Sequence, residues 1–151
     1  MDYKLELVLL PVADVDRAKA FYADRCGFTC DVDHQPNDDL RVVQFTPPGS
    51  ACSITFGIGI TDGLDPEVAG TDTVTPGSVR GLHLVVTDIE AARDELIAQG
   101  VEVGAIRHMT NDGWQPGADP QHRNYTSFAD FADPDGNTWV LQEVDHPDAA
   151  V

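Results

Sequence analysis

Apolar and polar positions along the chain fall into two copies of one pattern. Near the start stands Val8-Leu9-Leu10-Pro11-Val12-Ala13-Asp14-Val15-Asp16-Arg17-Ala18, and further on stands Leu82-His83-Leu84-Val85-Val86-Thr87-Asp88-Ile89-Glu90-Ala91-Ala92. Val12/Val86, Asp14/Asp88, Val15/Ile89, Asp16/Glu90 and Ala18/Ala92 coincide at one constant offset. A fixed internal period is the mark of a repeated structural unit. Each copy reads as a strand, an aspartate, a helix and a glycine. Asp14 and Asp88 suit the N-cap, where a short carboxylate accepts the first free helical N–H groups. Val15, Ala18, Phe21 and Tyr22 recur at helical spacing, as do Ile89, Ala92, Leu96 and Ile97. Gly27 and Gly100 follow where a left-handed residue ends a helix.

Strand-like runs come after each helix. In the first half they cover residues 28–33, 41–46 and 53–60, with Asn37-Asp38-Asp39 and Pro47-Pro48-Gly49 as turns. In the second half they cover 101–108, 125–132 and 138–144, with Asp133-Pro134-Asp135-Gly136 as the tight turn between the last two. The prediction is α+β, βαβββ twice: one module at about 3–60, a Gly-, Asp-, Thr- and Pro-rich linker at 61–79, and a second module at about 80–145. Residues 110–123 have no counterpart in the first half and read as a loop carrying Trp114. Long loops inside compact domains are commonly functional.

Composition agrees with one folded domain. The chain has 151 residues, 42% hydrophobic and 23% charged, enough to bury a core without metal or disulfide help. Charge changes the picture more. Asp+Glu number 26 against 9 Lys+Arg, a formal net charge of −17. Such a field repels phosphate backbones and anionic membranes, which excludes nucleic acid as a partner class and favours the arrival of cations. Scattered acids also serve solubility alone. No apolar run reaches the ~20 residues of a membrane span. The opening Met1-Asp2-Tyr3-Lys4-Leu5-Glu6 lacks a basic region followed by an apolar one, and Cys26, Cys30 and Cys52 form no CxxC. The expectation is a cytoplasmic protein without a secretory leader.

The paired Val-x-Asp-apolar helix starts, Phe21-Tyr22…Cys26-Gly27-Phe28, and the terminal Asp133-Pro134-Asp135-Gly136-Asn137…Leu141-Gln142-Glu143 together resemble the vicinal oxygen chelate superfamily. That group includes glyoxalase I, extradiol dioxygenases, fosfomycin-resistance transferases and bleomycin-resistance binding proteins. The resemblance runs from about Leu5 to Glu143. It implies duplicated βαβββ modules forming a curved, partly open eight-stranded sheet around a cavity, a homodimer, and, in metal-dependent members, ligands on the first and fourth strands of each module.

Carried over residue by residue, those ligand positions fall on Leu7, Gly81 and Val140, with Ser53 or Ile54 as the fourth, depending on how the Pro-Pro-Gly turn is gapped. None is an imidazole or carboxylate, so no metal and no cofactor are expected. His83 lies two residues past Gly81, and Gln142 two past Val140, so each shares a strand face with the position it replaces. A His/Gln pair without a carboxylate makes a weak metal site, and Glu143 falls on the opposite face. His83 is read first as a hydrogen-bonding or cationic residue of a ligand pocket, second as a core histidine, third as a metal ligand. His108, Asp112 and His122 lack metal-ligand spacing. No cysteine is fixed beside a base, no nucleophile elbow is present, and Gly57-Ile58-Gly59 lacks the helix that a phosphate loop needs.

Among aromatics, Phe45, Phe56, Phe128 and Phe131 read as core, and Trp139 packs under the helices because it alternates with Val140. Trp114 reads as a lid on a hinged flap that stacks on the ligand, the alternative being an interface arm that buries Trp114 against a partner subunit. The family's cavity-facing positions, extended by strand alternation, give a lining of Leu7, Leu9, Phe56, His83, Val140 and Gln142. The functional expectation is a metal-free protein that binds and sequesters an aromatic or cationic small molecule. The alternative is a lyase, isomerase or dioxygenase of the same superfamily, with displaced metal ligands or with His83 in acid–base catalysis.

Overall fold

The computed structural model describes residues 1–60 and 75–145. Most of the expected linker, residues 61–74, lies outside the described residues. The fold is α+β, with two mixed sheets of four and five strands. The chain divides into two compact units: Met1–Val79 with Pro134–Asn137, and Arg80–Asp133 with Thr138–Val151. Pro134, Asp135 and Gly136 of the predicted Asp-Pro-Asp-Gly turn thus belong to the first unit, while Asp133 belongs to the second. There Asp135 Oδ1 accepts from Ala13 N and from Arg17 Nη2, both at 3.0 Å, and Asn137 Nδ2 donates to Pro11 O at 2.9 Å.

The first unit contains β1 (Leu7–Leu9), α1 (Val15–Ala20), a π-helical turn (Phe21–Arg25), β2 (Thr29–Asn37), β3 (Leu40–Thr46) and β4 (Ser53–Ile58). Its sheet runs β1-β4-β3-β2, with β1 parallel to β4 and the remaining pairs antiparallel. Asp14 caps α1 as expected, its Oδ1 accepting from Arg17 N at 3.0 Å. Gly27 ends the helical stretch at φ +70°, where a side chain would be strained. Val15, Ala18, Phe21 and Tyr22 are buried together with Val43, Phe45, Ile54 and Phe56. Tyr22 lies 5.9 Å from Phe56, and Phe56 stacks on Phe45 at 5.9 Å between centroids. This corrects one expected lining residue. Phe56 is fully buried on the helix-facing side, so it is core, one pleat out of phase with Leu7 and Leu9.

The second unit contains β5 (Leu82–Val86), α2 (Ile89–Ala98), β6 (Arg107–Thr110), β7 (Gly113–Pro116), β8 (Ser127–Ala132) and β9 (Thr138–Glu143). Its order is β5-β9-β8-β6-β7, with β5 parallel to β9. Asp88 repeats the cap, Oδ1 accepting from Ala91 N at 3.0 Å, and Gly100 repeats the positive φ. Phe131 and Trp139 stack at 6.1 Å on the helix side, as expected for Trp139.

Two local expectations change. The strand expected at 101–108 reduces to an isolated Val103–Phe131 bridge and β6 proper. Arg93 reaches across from α2 to take the carbonyls of Gly104 and Val103, at 2.7 and 3.2 Å, which a continuous ladder would otherwise use. The expected loop at 110–123 holds β7, which makes nine strands among the described residues rather than eight. Gly113, at φ +100°, supplies the hairpin tip, and Thr110 Oγ1 donates to Gly113 O at 2.9 Å.

Candidate functional site on the open face of the second sheet

Strand register assigns the face of the second sheet that points away from α2. His83 sits opposite Val140, which sits opposite Asp130. One pleat along, Val85 faces Gln142, Gln142 faces Phe128, Phe128 faces Arg107 and Arg107 faces Pro116. Met109 faces Trp114 across the hairpin. Their neighbours in each strand, Trp139, Leu141, Ala129, Phe131 and His108, are buried on the other side. His83, Val140, Gln142 and Trp114 therefore share one face, as their selection requires.

Three residues that the sequence reading did not select complete this surface. Trp114 meets Phe128 edge-on at 5.4 Å, and the guanidinium of Arg107 stands 4.8 Å over the indole. Arg107 is held there by Asp130, at 3.0 Å from Nη1 and 3.4 Å from Nη2. This fork holds the cation over the ring. Phe128 and Phe131 differ by an odd number of residues, so they cannot share a strand face; Phe128 is half-buried on the open side and not core. Trp114 is 49% exposed in a hydrogen-bonded strand, which makes it a wall of the surface in a β-hairpin where a loop was expected.

The wall is supported from behind. Asp119 is buried, and its carboxylate accepts from Arg123 Nε at 2.7 Å, from Gln121 N at 3.1 Å and from Thr126 Oγ1 at 3.0 Å. The Arg123 contact, helped by these bonds, holds the Asp119 carboxyl well below the usual carboxylate range. Buried Glu143 accepts from Ile89 N at 3.0 Å, at the start of α2, and from His122 Nδ1 at 2.9 Å. That hydrogen bond and the carboxylate's charge push His122 above its ordinary value. His122 and Tyr125 have positive φ, of 49° and 67°, a costly conformation for side chains of this size. Sequence alternation correctly placed Glu143 opposite to Val140 but gave no sign of its partner.

His83 is exposed, and its Nδ1 lies 2.6 Å from Gly81 O. A carbonyl only accepts, so Nδ1 donates this bond, and in the neutral tautomer Nε2 is left as an acceptor. His108 is tied in the same way to Gly117 O at 2.7 Å and is buried.

The remaining predicted residues, Leu7 and Leu9, lie in the first unit opposite Ser53 and Thr55. This register also resolves the gap in the repeat. Leu9 matches His83, so the counterpart of Val140 is Thr55, and neither Ser53 nor Ile54 holds that place. The superfamily's metal positions become Leu7, Thr55, Gly81 and Val140. They present two aliphatic chains, a glycine and a hydroxyl already donating to Val43 O at 3.0 Å, a set that does not fit a divalent metal. Among the described residues no group of three His, Cys, Asp or Glu is arranged to hold a metal ion, and no helix is long and apolar enough to cross a membrane.

Residues 4–141 match the family model described as Glyoxalase/Bleomycin resistance protein/Dioxygenase superfamily. Among solved structures, the chain is similar to TnmS3, an antibiotic binding protein from Streptomyces sp. CB03234, with 30% identity, a TM-score of 0.66, and 94% of this chain and 96% of that one covered. A glyoxalase/bleomycin resistance protein from the same organism has 30% identity and a TM-score of 0.63, covering 92% and 99%. A superfamily member from Sphaerobacter thermophilus DSM 20745 has 25% identity and a TM-score of 0.67, covering 95% and 98%. No curated protein matches the chain.

Proposed function

Taking as premise that this chain belongs to the Glyoxalase/Bleomycin resistance protein/Dioxygenase superfamily, we propose that it binds a small aromatic molecule without metal and sequesters it. The observation that carries this reading is the Trp114–Phe128–Arg107 cluster, an aromatic surface presented on an open sheet face. Buried aromatic area would supply most of the affinity, and His83 and Gln142 offer polar groups for orientation. An antibiotic-binding relative of similar fold supports the class. The ligand positions of metal-dependent members hold no donors of the right kind, which weighs against a metal enzyme of the usual pattern. We also infer a cytoplasmic homodimer, which should sediment at about twice 16.3 kDa.

The experiment uses the chain's two tryptophans. Trp139 is buried, so fluorescence quenching by a planar aromatic ligand reports on Trp114. Saturable quenching that disappears in Trp114→Phe, with folding intact, is the expected result. Quenching that persists in that variant overturns the reading. The fixed tautomer of His83 favours a second reading, in which Nε2 acts as a general base in a superfamily enzyme. Turnover of a bound candidate that is lost in His83→Gln would decide for it.

A further inference from the structure

We propose that the open face of the first unit is a recognition site for a small organic ammonium, held by Asp31 and Thr46, with Ser53 buried behind Thr46. The proposal goes beyond the aromatic reading and concerns a different unit.

A β-bulge creates the site. Cys30 pairs with Phe45 and Val32 with Gln44, so Asp31 is an extra residue with no partner across the ladder. Bulges re-aim side chains, and this one turns the Asp31 carboxylate onto the face away from α1, where it accepts from the Thr46 hydroxyl. Asp33, two residues on, stays on the helix side and holds Lys19 at 2.7 Å and Arg41 at 2.9 Å. Among the described residues no cation pairs with Asp31.

Proton counting then sets the chemistry. The one Thr46 proton goes to Asp31, so the 2.7 Å contact between Thr46 and Ser53 must use the Ser53 proton. The Thr55 hydroxyl donates to Val43 O. None of the three hydroxyl protons is therefore left for a ligand. What remains is the second Asp31 oxygen and hydroxyl lone pairs, which form an acceptor-only, negatively charged set. Leu7 and Leu9, opposite Ser53 and Thr55, add an apolar strip. The complement is a cation with N–H donors and a short hydrocarbon body. A neutral alcohol or a quaternary ammonium lacks one half of that match.

The test is calorimetric or amide-NMR titration of the full chain with butylammonium, tetramethylammonium and 1-butanol. Butylammonium should bind saturably and at least about ten-fold more tightly than either competitor, the scale of one charge-assisted hydrogen bond. Asp31→Asn should weaken it by a similar factor, while Asp38→Asn, an exposed turn acid, leaves it unchanged. Thr46→Val should weaken it several-fold, because Ser53 is then free to turn its proton outward; it also decides the matter if Asp31→Asn fails to fold. Trp114→Phe should have no effect, so this site and the aromatic site fail separately. No saturation, equal binding of tetramethylammonium, or equal effects of the Asp31 and Asp38 variants would overturn the proposal in favour of diffuse attraction by the net charge.

Discussion

The two units carry one helix-side design and two different open faces. On the helix side, each has an aspartate cap at 3.0 Å, a positive-φ glycine after the helix, and a stacked aromatic pair across neighbouring strands, Phe45–Phe56 in one and Phe131–Trp139 in the other. On the open side, the first unit has Asp31 and Thr46, with Ser53 and Thr55 buried beside them, and the second presents Trp114, Phe128, Arg107 and Asp130. Close packing explains the contrast: a buried position must keep its volume and apolarity, whereas an open strand position is free to change chemistry. Function in a duplicated fold is thus sought where the copies differ.

The largest effect that would break this comparison lies in the cores. Phe56→Ala and Trp139→Ala should each cost about 3–5 kcal/mol in chemical denaturation, the usual range for deleting a buried large aromatic side chain. Phe128→Ala, on the open face, should cost far less. If Phe56→Ala proves as mild as Phe128→Ala, its assignment to the helix side is wrong.

Next in size is binding. Trp114→Ala should weaken an aromatic ligand by about ten-fold or more while leaving the unfolding midpoint close to wild type, since half the indole is already exposed. Arg107→Ala sharpens the point: it removes the cation over the ring and frees Asp130, so it should change which ligand charges are accepted more than it changes stability.

The sequence predicted the helix side well because that side repeats. Asp14 and Asp88, Gly27 and Gly100, and Trp139 beneath the helix all follow from periodicity and cap chemistry. The open side was legible only in part. Leu7, Leu9, His83, Val140 and Gln142 came from the superfamily's cavity-facing positions extended by strand parity, but Phe56 was put one pleat out. Trp114 was found for its chemistry and given the wrong element, because Thr110-Asn111-Asp112-Gly113 reads as loop while in fact turning a hairpin. Asp31 and Arg107 were invisible for a physical reason. A bulge shifts parity without leaving a sequence mark, and a fork between β6 and β8 exists only once those strands pair.

The caps offer a smaller, symmetric test. Asp14→Ala and Asp88→Ala should each lose about 1 kcal/mol, the typical worth of an N-cap. A clear inequality would mean that α1, which widens into a π turn where Cys26 N donates to Phe21 O, depends less on its cap than α2 does.

The smallest effect concerns the one helix end where the units diverge. The last residue of the fourth strand is Ile58 in the first unit, exposed, and Glu143 in the second, buried beneath the start of α2 and bonded to His122. His122 also feels Glu90 and Asp119, all of one sign, so its folded pKa lies above the unfolded value of 6.5. A raised histidine contributes its stability fully below that unfolded value and loses it as pH climbs through the folded one. The thermal midpoint of wild type should therefore exceed that of His122→Gln at pH 5.5, and the gap should close by pH 8.5. Glu143→Gln should remove most of the pH dependence of the gap, since Glu143 is the largest cause of the raised His122 and Glu90 and Asp119 contribute less. A gap that stays constant across this range would mean that the neutral Nδ1–H bond to Glu143 already supplies the whole contribution, and that imidazolium formation at His122 adds nothing to the second unit.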